Sequence, residues 1–285
     1  MPEGDTLHNI AKTLRPALEG KVVTRLEFSR LAGDARVLVG TTITTVEAQG
    51  KNLLIHFDNG LVLHTHLKMP GAWHLYRPGQ QWRRSPSQAR VVLEVEDAQA
   101  VCYNAPVVRV LRESELRRDR QLAGLGPDLL AERFDAARAV ANLRVVEGWP
   151  LGVAVMHQAA VAGIGNVYKS ELLFLERLDP FEPVASFEDE ALHSLLERAR
   201  DLMQVNTNHG SAAPFTGRRT TRFEGRSDGT KVWVYGRRGR PCFRCGAAIR
   251  MKRQGTALRS TYFCSSCQGL SEEKLALLFA VKSED

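Results

Sequence analysis

The chain has 285 residues, 44% of them hydrophobic and 25% charged, with a formal net charge of +7. That length accommodates two domains, or one with a small appendage, and the composition excludes wholesale disorder. There is neither an apolar run of about 18 residues nor a charged-then-apolar leader, so no membrane partner is expected and the chain reads as cytoplasmic. The basic excess favours a polyanionic partner.

Met1-Pro2-Glu3-Gly4 opens the sequence. Removal of Met1 would free the secondary amine of Pro2, a nucleophile at neutral pH because α-amino groups titrate near pH ~8. Glu3 sets a carboxylic acid beside it. Alone, such a terminus is equally a frayed end. Asp5 and Thr6 are expected to cap a helix whose apolar positions Leu7, Ile10, Ala11, Leu14 and Leu18 keep helical spacing. Gly20 is its expected stop, with Pro16 disturbing the last turn.

Period-two patterning follows over residues 21 to 111 and predicts strands Val22–Phe28, Ile43–Ala48, Leu53–Phe57, Leu61–His66, Ala72–Tyr76, Val91–Val95, Val101–Tyr103 and Val107–Leu111. Asp58-Asn59-Gly60 is a hairpin signal. Short strands this closely spaced indicate an antiparallel sandwich or barrel. A linker is placed near residues 112 to 135. Helices are expected at Phe134–Leu143, Val153–Ala160, Val167–Leu175 and Phe187–Met203, and a mobile loop at 206 to 230.

Four of the five cysteines form two pairs, Cys242-x2-Cys245 and Cys264-x2-Cys267. This spacing matches a tetrahedral four-thiolate zinc site on a β-hairpin, one structural ion per chain, since four thiolates leave no open position. The metal would fold a segment too poor in apolar side chains to fold alone. Its basic residues, among them Arg244, Arg250, Arg253 and Arg259, suit a phosphate backbone. Cys102 reads as a small buried residue.

Three weaker signals accompany the finger. In Gly163-Ile164-Gly165-Asn166, two glycines turn the chain into a helix whose free N–H groups suit a phosphate, although Asn166 is equally a plain N-cap. Lys51, after Gln49-Gly50, is either an acid/base group or a solvated edge charge. In His66-Leu67-Lys68-Met69-Pro70-Gly71, His66 reads as a hydrogen-bonded strand end. Met69 is core filling or a wedge between stacked bases.

Taken in order, Pro2-Glu3-Gly4, Gln49-Gly50-Lys51, His66 through Met69, Leu125-Gly126-Pro127-Asp128, Gly163 through Glu171, Tyr235-Gly236-Arg237 and the finger with Arg259-Ser260-Thr261 resemble the formamidopyrimidine-DNA glycosylase/endonuclease VIII family. The resemblance implies an α+β fold: an N-terminal antiparallel β-sandwich (1–118), a helical helix–two-turn–helix domain (119–230), a zinc finger (231–268) and an extension (269–285). It implies a monomer acting on damaged DNA, duplex, single-stranded or abasic, as a bifunctional glycosylase/AP lyase. Pro2 would be the Schiff-base nucleophile, Glu3 a general acid, and Lys51 the aid to base loss and β-elimination. Asn166 and Arg259 would grip phosphates, Arg259 also serving δ-elimination. Met69, next to His66 on the DNA side, would fill the gap left by an everted base.

Two departures refine the expectation. The arginine and phenylalanine that follow Asn-x-Pro in the purine-directed branch are missing, since Asn104-Ala105-Pro106 precedes Val107-Val108-Arg109. With Gly4 this favours the endonuclease VIII branch and oxidised pyrimidines, the purine-directed enzyme and a non-catalytic lesion-binding protein being the alternatives. Asp5-Thr6 also replaces the Pro-Glu pair usual in the family, so that glutamate is absent. The extension carries Leu270, Leu275, Leu278 and Phe279, one face of a short helix that packs on the finger or binds a partner.

Overall fold

The apolar positions of the first segment do form one helical face. In the computed structural model, which describes residues 2–29, 35–208, 220–222 and 231–280, helix α1 (Gly4–Leu18) buries Leu7, Ile10, Leu14 and Leu18. The capping expectation needs correction. Glu3 is the N-cap, and Asp5 and Thr6 lie inside the first turn, where the Glu3 N–H donates to Thr6 Oγ1 at 3.4 Å. Pro16 is accommodated within the helix, which ends before Gly20 at φ +76°.

Strands β1 (Arg25–Phe28), β2 (Ile43–Gln49), β3 (Asn52–Phe57), β4 (Leu61–His66), β5 (Ala72–Tyr76), β6 (Ala89–Glu94), β7 (Gln99–Tyr103) and β8 (Val107–Arg112) follow. They make two four-stranded antiparallel sheets, ordered β2-β3-β4-β8 and β1-β6-β7-β5. The predicted first strand is shorter than expected, because Val22 makes only an isolated bridge to Thr42. Alternation on the strands turns Val46, Leu53, Ile55 and Leu63 toward Trp73, Val91, Leu93 and Cys102 in one core that α1 closes. Cys102 is buried there, and burial pushes its thiol up.

Short helices α2 (Glu113–Leu116) and α3 (Arg120–Ala123) lead into the helical half. This half comprises α4 (Ala136–Arg144), α5 (Leu151–Ala154), α6 (Asn166–Leu175) and α7 (Asp189–Asn208). The helix expected at Val153–Ala160 is a single turn. Acceptors that would continue it are engaged otherwise: Met156 O accepts from the Gln158 side-chain amide at 2.8 Å, and Ala154 O accepts from His157 N–H, three residues on, at 3.0 Å. Helix α7 runs past Met203 to Asn208, so it takes the start of the segment read as a loop; residues 209–219 and 223–230 of that loop lie outside the described residues.

Strands β9 (Arg250–Gln254) and β10 (Arg259–Phe263) pair as the C-terminal hairpin. Helix α8 (Glu272–Phe279) packs back on it through Leu275 and Leu278, which join Phe263, Leu270 and Phe181. Helix α6 lies at the centre of this half, buried at every position from Asn166 to Phe174.

On the outer face of the first sheet, His56 Nε2 lies 3.1 Å from Glu47 Oε1 and Nδ1 lies 3.5 Å from Glu113 Oε1. The hydrogen bond to Glu47, aided by Glu113, raises the His56 pKa above its ordinary value against the opposing effect of burial. The stability this gives is fully present below the ordinary histidine pKa of about 6.5 and is lost as pH rises through the raised folded value. Denaturant midpoints of wild type and His56→Gln should therefore differ most near pH 6 and converge in alkali. A gap that widened with pH would contradict the assignment.

Candidate active site

The catalytic candidates gather where the N-terminus meets the start of α6. Glu3 is fully buried, and its carboxylate accepts from the N–H groups of Gly165 (3.0 Å), Val167 (2.9 Å) and Tyr168 (3.3 Å). These are donors that a helix start leaves without intrahelical partners, and the positive end of the helix dipole adds to the attraction. The expectation that this helix start offers its N–H groups to a phosphate is thereby corrected: Glu3 occupies three of them. Its N-cap is Gly165, not Asn166.

Glycines make the approach possible. A Cβ on Gly165 would stand 2.4 Å from the Glu3 carboxyl carbon, and one on Gly4 would stand 2.9 Å from Gly163 Cα. The Gly4 N–H donates to Gly163 O at 2.9 Å. Pro2, half-buried, is therefore one peptide away from a backbone pinned on both sides.

Lys51 comes to the same loop from the other sheet. It sits in the tight β2–β3 turn after Gly50, whose φ is +57° and where an added Cβ would meet Ala162 Cβ at 3.1 Å. The Gly50 N–H donates to Asp128 Oδ2 at 2.6 Å. Thus Glu3-Gly4 and Gly50, the chain neighbours of Pro2 and Lys51, flank the consecutive residues Ala162 to Gly165. Asp128 is a residue that sequence reasoning quoted within Leu125-Gly126-Pro127-Asp128 without giving it a task. Burial works against its charge, yet His8 (3.4 Å) and the N–H groups of Gly50 and Leu130 hold its carboxyl below the usual carboxylate range.

Asp5 and Thr6 also have tasks. Asp5 is buried and accepts from Tyr168 O–H at 3.1 Å, and that hydroxyl accepts from the Asn206 amide at 3.0 Å. Asn206 in turn holds Thr220 through two bonds of 2.8 Å. Asp5 thus braces α1 against α6 and α7, while Thr6 Oγ1 accepts from the Glu3 N–H within the first turn of α1.

The other side of α6 faces the hairpin. Asn166 Nδ2 donates to Ser260 Oγ at 3.0 Å, Lys169 Nζ to Ser260 O at 3.0 Å, and Tyr262 N–H to Ser170 Oγ at 3.2 Å. Asn166 Oδ1 is buried without a hydrogen-bond partner. Lys169, which sequence reasoning passed over, is fully buried. Burial pushes its ammonium down to about 7; Glu3 opposes the shift and Arg259 adds to it. Arg259 is exposed at the start of β10 and lines, with Lys169, a cavity of about 190 Å³ between the hairpin tip and α5.

His66 pairs with Asn52 across β3 and β4, next to Lys51, and Met69 stands three residues further along the chain. Met69 is 67% exposed at the tip of the β4–β5 turn, which excludes core filling. His66 Nδ1 accepts from Lys68 N–H at 3.1 Å, and burial, with Lys51 and Lys68 nearby, lowers its pKa, so the ring is neutral at pH 7.

The four finger thiols, Cys242, Cys245, Cys264 and Cys267, lie within 4.8 Å of one another, with Sγ separations of 3.8 Å (Cys242–Cys267) and 3.4 Å (Cys245–Cys264). A tetrahedral ion with metal–sulfur bonds of about 2.3 Å needs sulfurs about 3.8 Å apart. The donor set fits one metal ion. Glu171 of α6 anchors the approach to this cluster, accepting from the N–H groups of Trp233 (2.7 Å), Val234 (2.9 Å) and Tyr235 (2.7 Å) and from Thr221 Oγ1.

Comparison with known proteins agrees with this geometry. Residues 1–123 match the formamidopyrimidine-DNA glycosylase N-terminal domain, and residues 125–214 match the formamidopyrimidine-DNA glycosylase H2TH domain. The chain belongs to the formamidopyrimidine-DNA glycosylase family. It is 42% identical to the probable endonuclease 8 2 of Streptomyces coelicolor over 94% of both chains. It is 37% identical to the DNA-(apurinic or apyrimidinic site) lyase Nei2 of Mycolicibacterium smegmatis, over 95% of this chain and 100% of that one. The fold is shared with the Lactococcus lactis Fpg in complex with abasic-site DNA, at a TM-score of 0.77 and 22% identity, covering 93% of this chain and 99% of that one. The α+β class, the paired sheets and the four-cysteine hairpin are those the sequence led us to expect, and the relatives' names lie on the endonuclease VIII side.

The contact between Glu3 and Gly165 gives a direct test of this architecture. Gly165→Ala should destabilise the protein by about 2–4 kcal/mol, from overpacking and from N–H groups left unpaired. Denaturant titration measures it. A loss below about 0.5 kcal/mol, typical of a neutral surface change, would show that the carboxylate is not seated there.

Proposed function

We propose that the protein is a base-excision repair enzyme, a bifunctional DNA glycosylase/AP lyase that removes oxidised bases, mainly pyrimidines, and cleaves the strand by β,δ-elimination. The observation that carries this reading is the seating of Pro2-Glu3 and Lys51 on the same loop at the start of α6. A nucleophile has to be held still to attack an everted nucleotide, and backbone pinned on both sides of the residue supplies that. Family membership and relatives named endonuclease 8 and AP lyase support it.

With Met1 removed, the Pro2 nitrogen forms a bond to C1′ of the damaged nucleotide as the bond to the base breaks. The base leaves with a proton, for which Glu3 and Lys51 are the candidate donors. Ring opening gives an iminium that withdraws electrons from C2′. Loss of a C2′ proton then expels the 3′ phosphate, and a second elimination expels the 5′ phosphate. Covalent catalysis divides one difficult cleavage into easier steps. Arg259 and Asn166 take the flanking phosphates.

The pyrimidine preference draws on Arg109. In this chain it lies in strand β8, bonded to Asp119 and His64 instead of standing in a loop after Asn104-Ala105-Pro106. Gap filling is left to the exposed tip at Lys68, Met69 and Pro70, with His66 at its base. We read the metal as a single structural zinc, which when bound fixes the hairpin that carries Arg259, and we read the protein as a monomer that acts in the cytoplasm on the nucleoid.

Borohydride should trap a covalent complex between the protein and duplex DNA bearing an abasic site or an oxidised pyrimidine. Pro2→Gly, or an uncleaved N-terminal tag, should abolish trapping and leave binding to uncleavable abasic-analogue DNA largely intact. Full-rate cleavage by the tagged protein would refute the role of Pro2. Elemental analysis should give one zinc per chain, and its removal by a chelator should weaken DNA binding together with loss of finger structure; retention of both would refute the structural zinc.

A further inference from the structure

A chain of buried polar side chains in the N-terminal half has no part in the chemistry above. It lies on the outer face of the first sheet, beneath α2 and α3, next to Leu54, Val62 and Leu122. His64 on β4 is 1% exposed and Asn52 at the start of β3 is 7% exposed. A histidine and an asparagine there cost stability relative to the aliphatic residues around them unless each polar atom is satisfied.

Each is satisfied, with one polarity throughout. Arg109 Nη1 pairs with Asp119 Oδ2 at 2.7 Å, and Asp119 Oδ1 caps α3. The guanidinium has no acceptor, so where its Nε and Nη2 reach His64 Nδ1 (3.3 and 3.1 Å), that nitrogen must be the acceptor. The ring proton is then on Nε2, which donates to Asn52 Oδ1 at 2.9 Å. This fixes the amide orientation, and Asn52 Nδ2 donates to Gln49 O at 3.0 Å. The chain ends on the turn Gln49-Gly50-Lys51-Asn52. Burial and the adjacent Arg109 push the His64 pKa down to about 4, so the neutral ring persists across physiological pH.

We propose that Asn52, His64 and Arg109 are positioning residues for Lys51, holding its turn from the sandwich side while Asp128 holds it from the helical side through Gly50 N–H. This rests on the reading of Lys51 as the group that assists base loss and β-elimination. A misplacement of about 1 Å at a reacting group can cost on the order of a hundredfold in rate. The buried chain is the device that prevents it.

Single-turnover cleavage of duplex DNA carrying one abasic site tests the proposal. Asn52→Ala should slow cleavage about tenfold, with affinity for tetrahydrofuran-containing DNA unchanged within about twofold. In a Lys51→Ala background the same substitution should have almost no further effect, because it acts through the residue already removed. Ile55→Val, a core change in the same strand, should reduce stability without slowing cleavage. If Asn52→Ala fails to fold, two histidine replacements carry the test: His64→Gln keeps a donor near the Nε2 position and should retain most activity, while His64→Asn keeps only the Nδ1-like acceptor and should not. Equal losses in the wild-type and Lys51→Ala backgrounds, or an Asn52→Ala enzyme at full rate, would overturn the proposal. Should the wild-type protein not cleave abasic DNA, the reading of Lys51 fails, and hydrogen exchange still decides the structural claim. Amides of residues 50–52 should exchange about tenfold faster in Asn52→Ala or His64→Asn while those of β6 are unchanged; unaltered exchange at the turn overturns it.

Discussion

A carboxylate buried at the start of a buried helix sets the geometry on which both halves of this protein depend. Glu3 has no exposed surface, and a carboxyl group in such a place is tolerated only if hydrogen bonds and favourable fields offset the lost hydration. The first turn of α6 provides both, through three N–H groups and the helix dipole. The same residue is the N-cap of α1, so the first turn of the sandwich half and the first turn of the helical half share it. Neither can shift alone. The glycines at 4 and 165 are the steric counterpart of that constraint, since the Gly163 backbone at one and the Glu3 side chain at the other approach more closely than a Cβ would permit.

Helix α6 carries the constraint onward. Helices buried all round are usually apolar, yet this one places Asn166, Lys169, Ser170 and Glu171 in the interior. These polar groups, with Tyr168, are divided among three sets of neighbours. Asn166, Lys169 and Ser170 reach β10, Glu171 gathers the backbone of residues 233–235, and Tyr168 meets Asp5 and Asn206. Burial pushes the Glu171 carboxyl upward, while four donors directed at it favour the ionised form. Apolar residues could fill the same volume but would not specify register, and here register decides where Arg259 stands relative to Glu3. The hairpin that bears Arg259 has little apolar core of its own, so its place depends on the four-cysteine cluster and these polar contacts.

Much of this was legible in the sequence because the strongest signals were local. Period-two runs gave the sandwich strands, helical spacing gave α1 and α6, and two Cys-x-x-Cys pairs gave the cluster. What escaped was non-local. No propensity indicates that the Gln158 amide will bridge the carbonyls of Met156 and Ile164, or that residues 158–162 will pair with residues 126–129, where a helix over Val153–Ala160 was expected and one turn is found. The free donors at Asn166 looked available because their occupant, Glu3, is 162 residues away from Gly165 in sequence. Asp5 looked like a loss for the same reason, since its partner is a tyrosine on another helix. Asp128 was visible as part of a matching motif, but its bond to Gly50 belongs to the tertiary structure.

The site therefore divides by stiffness. Pro2 and Lys51 each adjoin a residue locked against the single loop 162–165, one through Glu3 and Gly4, the other through Gly50 and Asp128. Held to one rigid element, the two groups keep a separation that does not depend on how the rest of the cleft adjusts around DNA. Met69 is placed on the opposite principle. It stands exposed on a short turn whose Lys68 adopts φ +44°, with a thioether side chain that has several rotamers and no fixed polar partner. In the proposed reaction Met69 would enter a gap of variable shape, for which such freedom is an advantage, whereas Pro2 and Lys51 would act at one nucleotide, for which its absence is. Both demands are met because the rigid set is built on α6 and the adaptable one on the far end of β4, where nothing needed to hold Glu3 in place is disturbed.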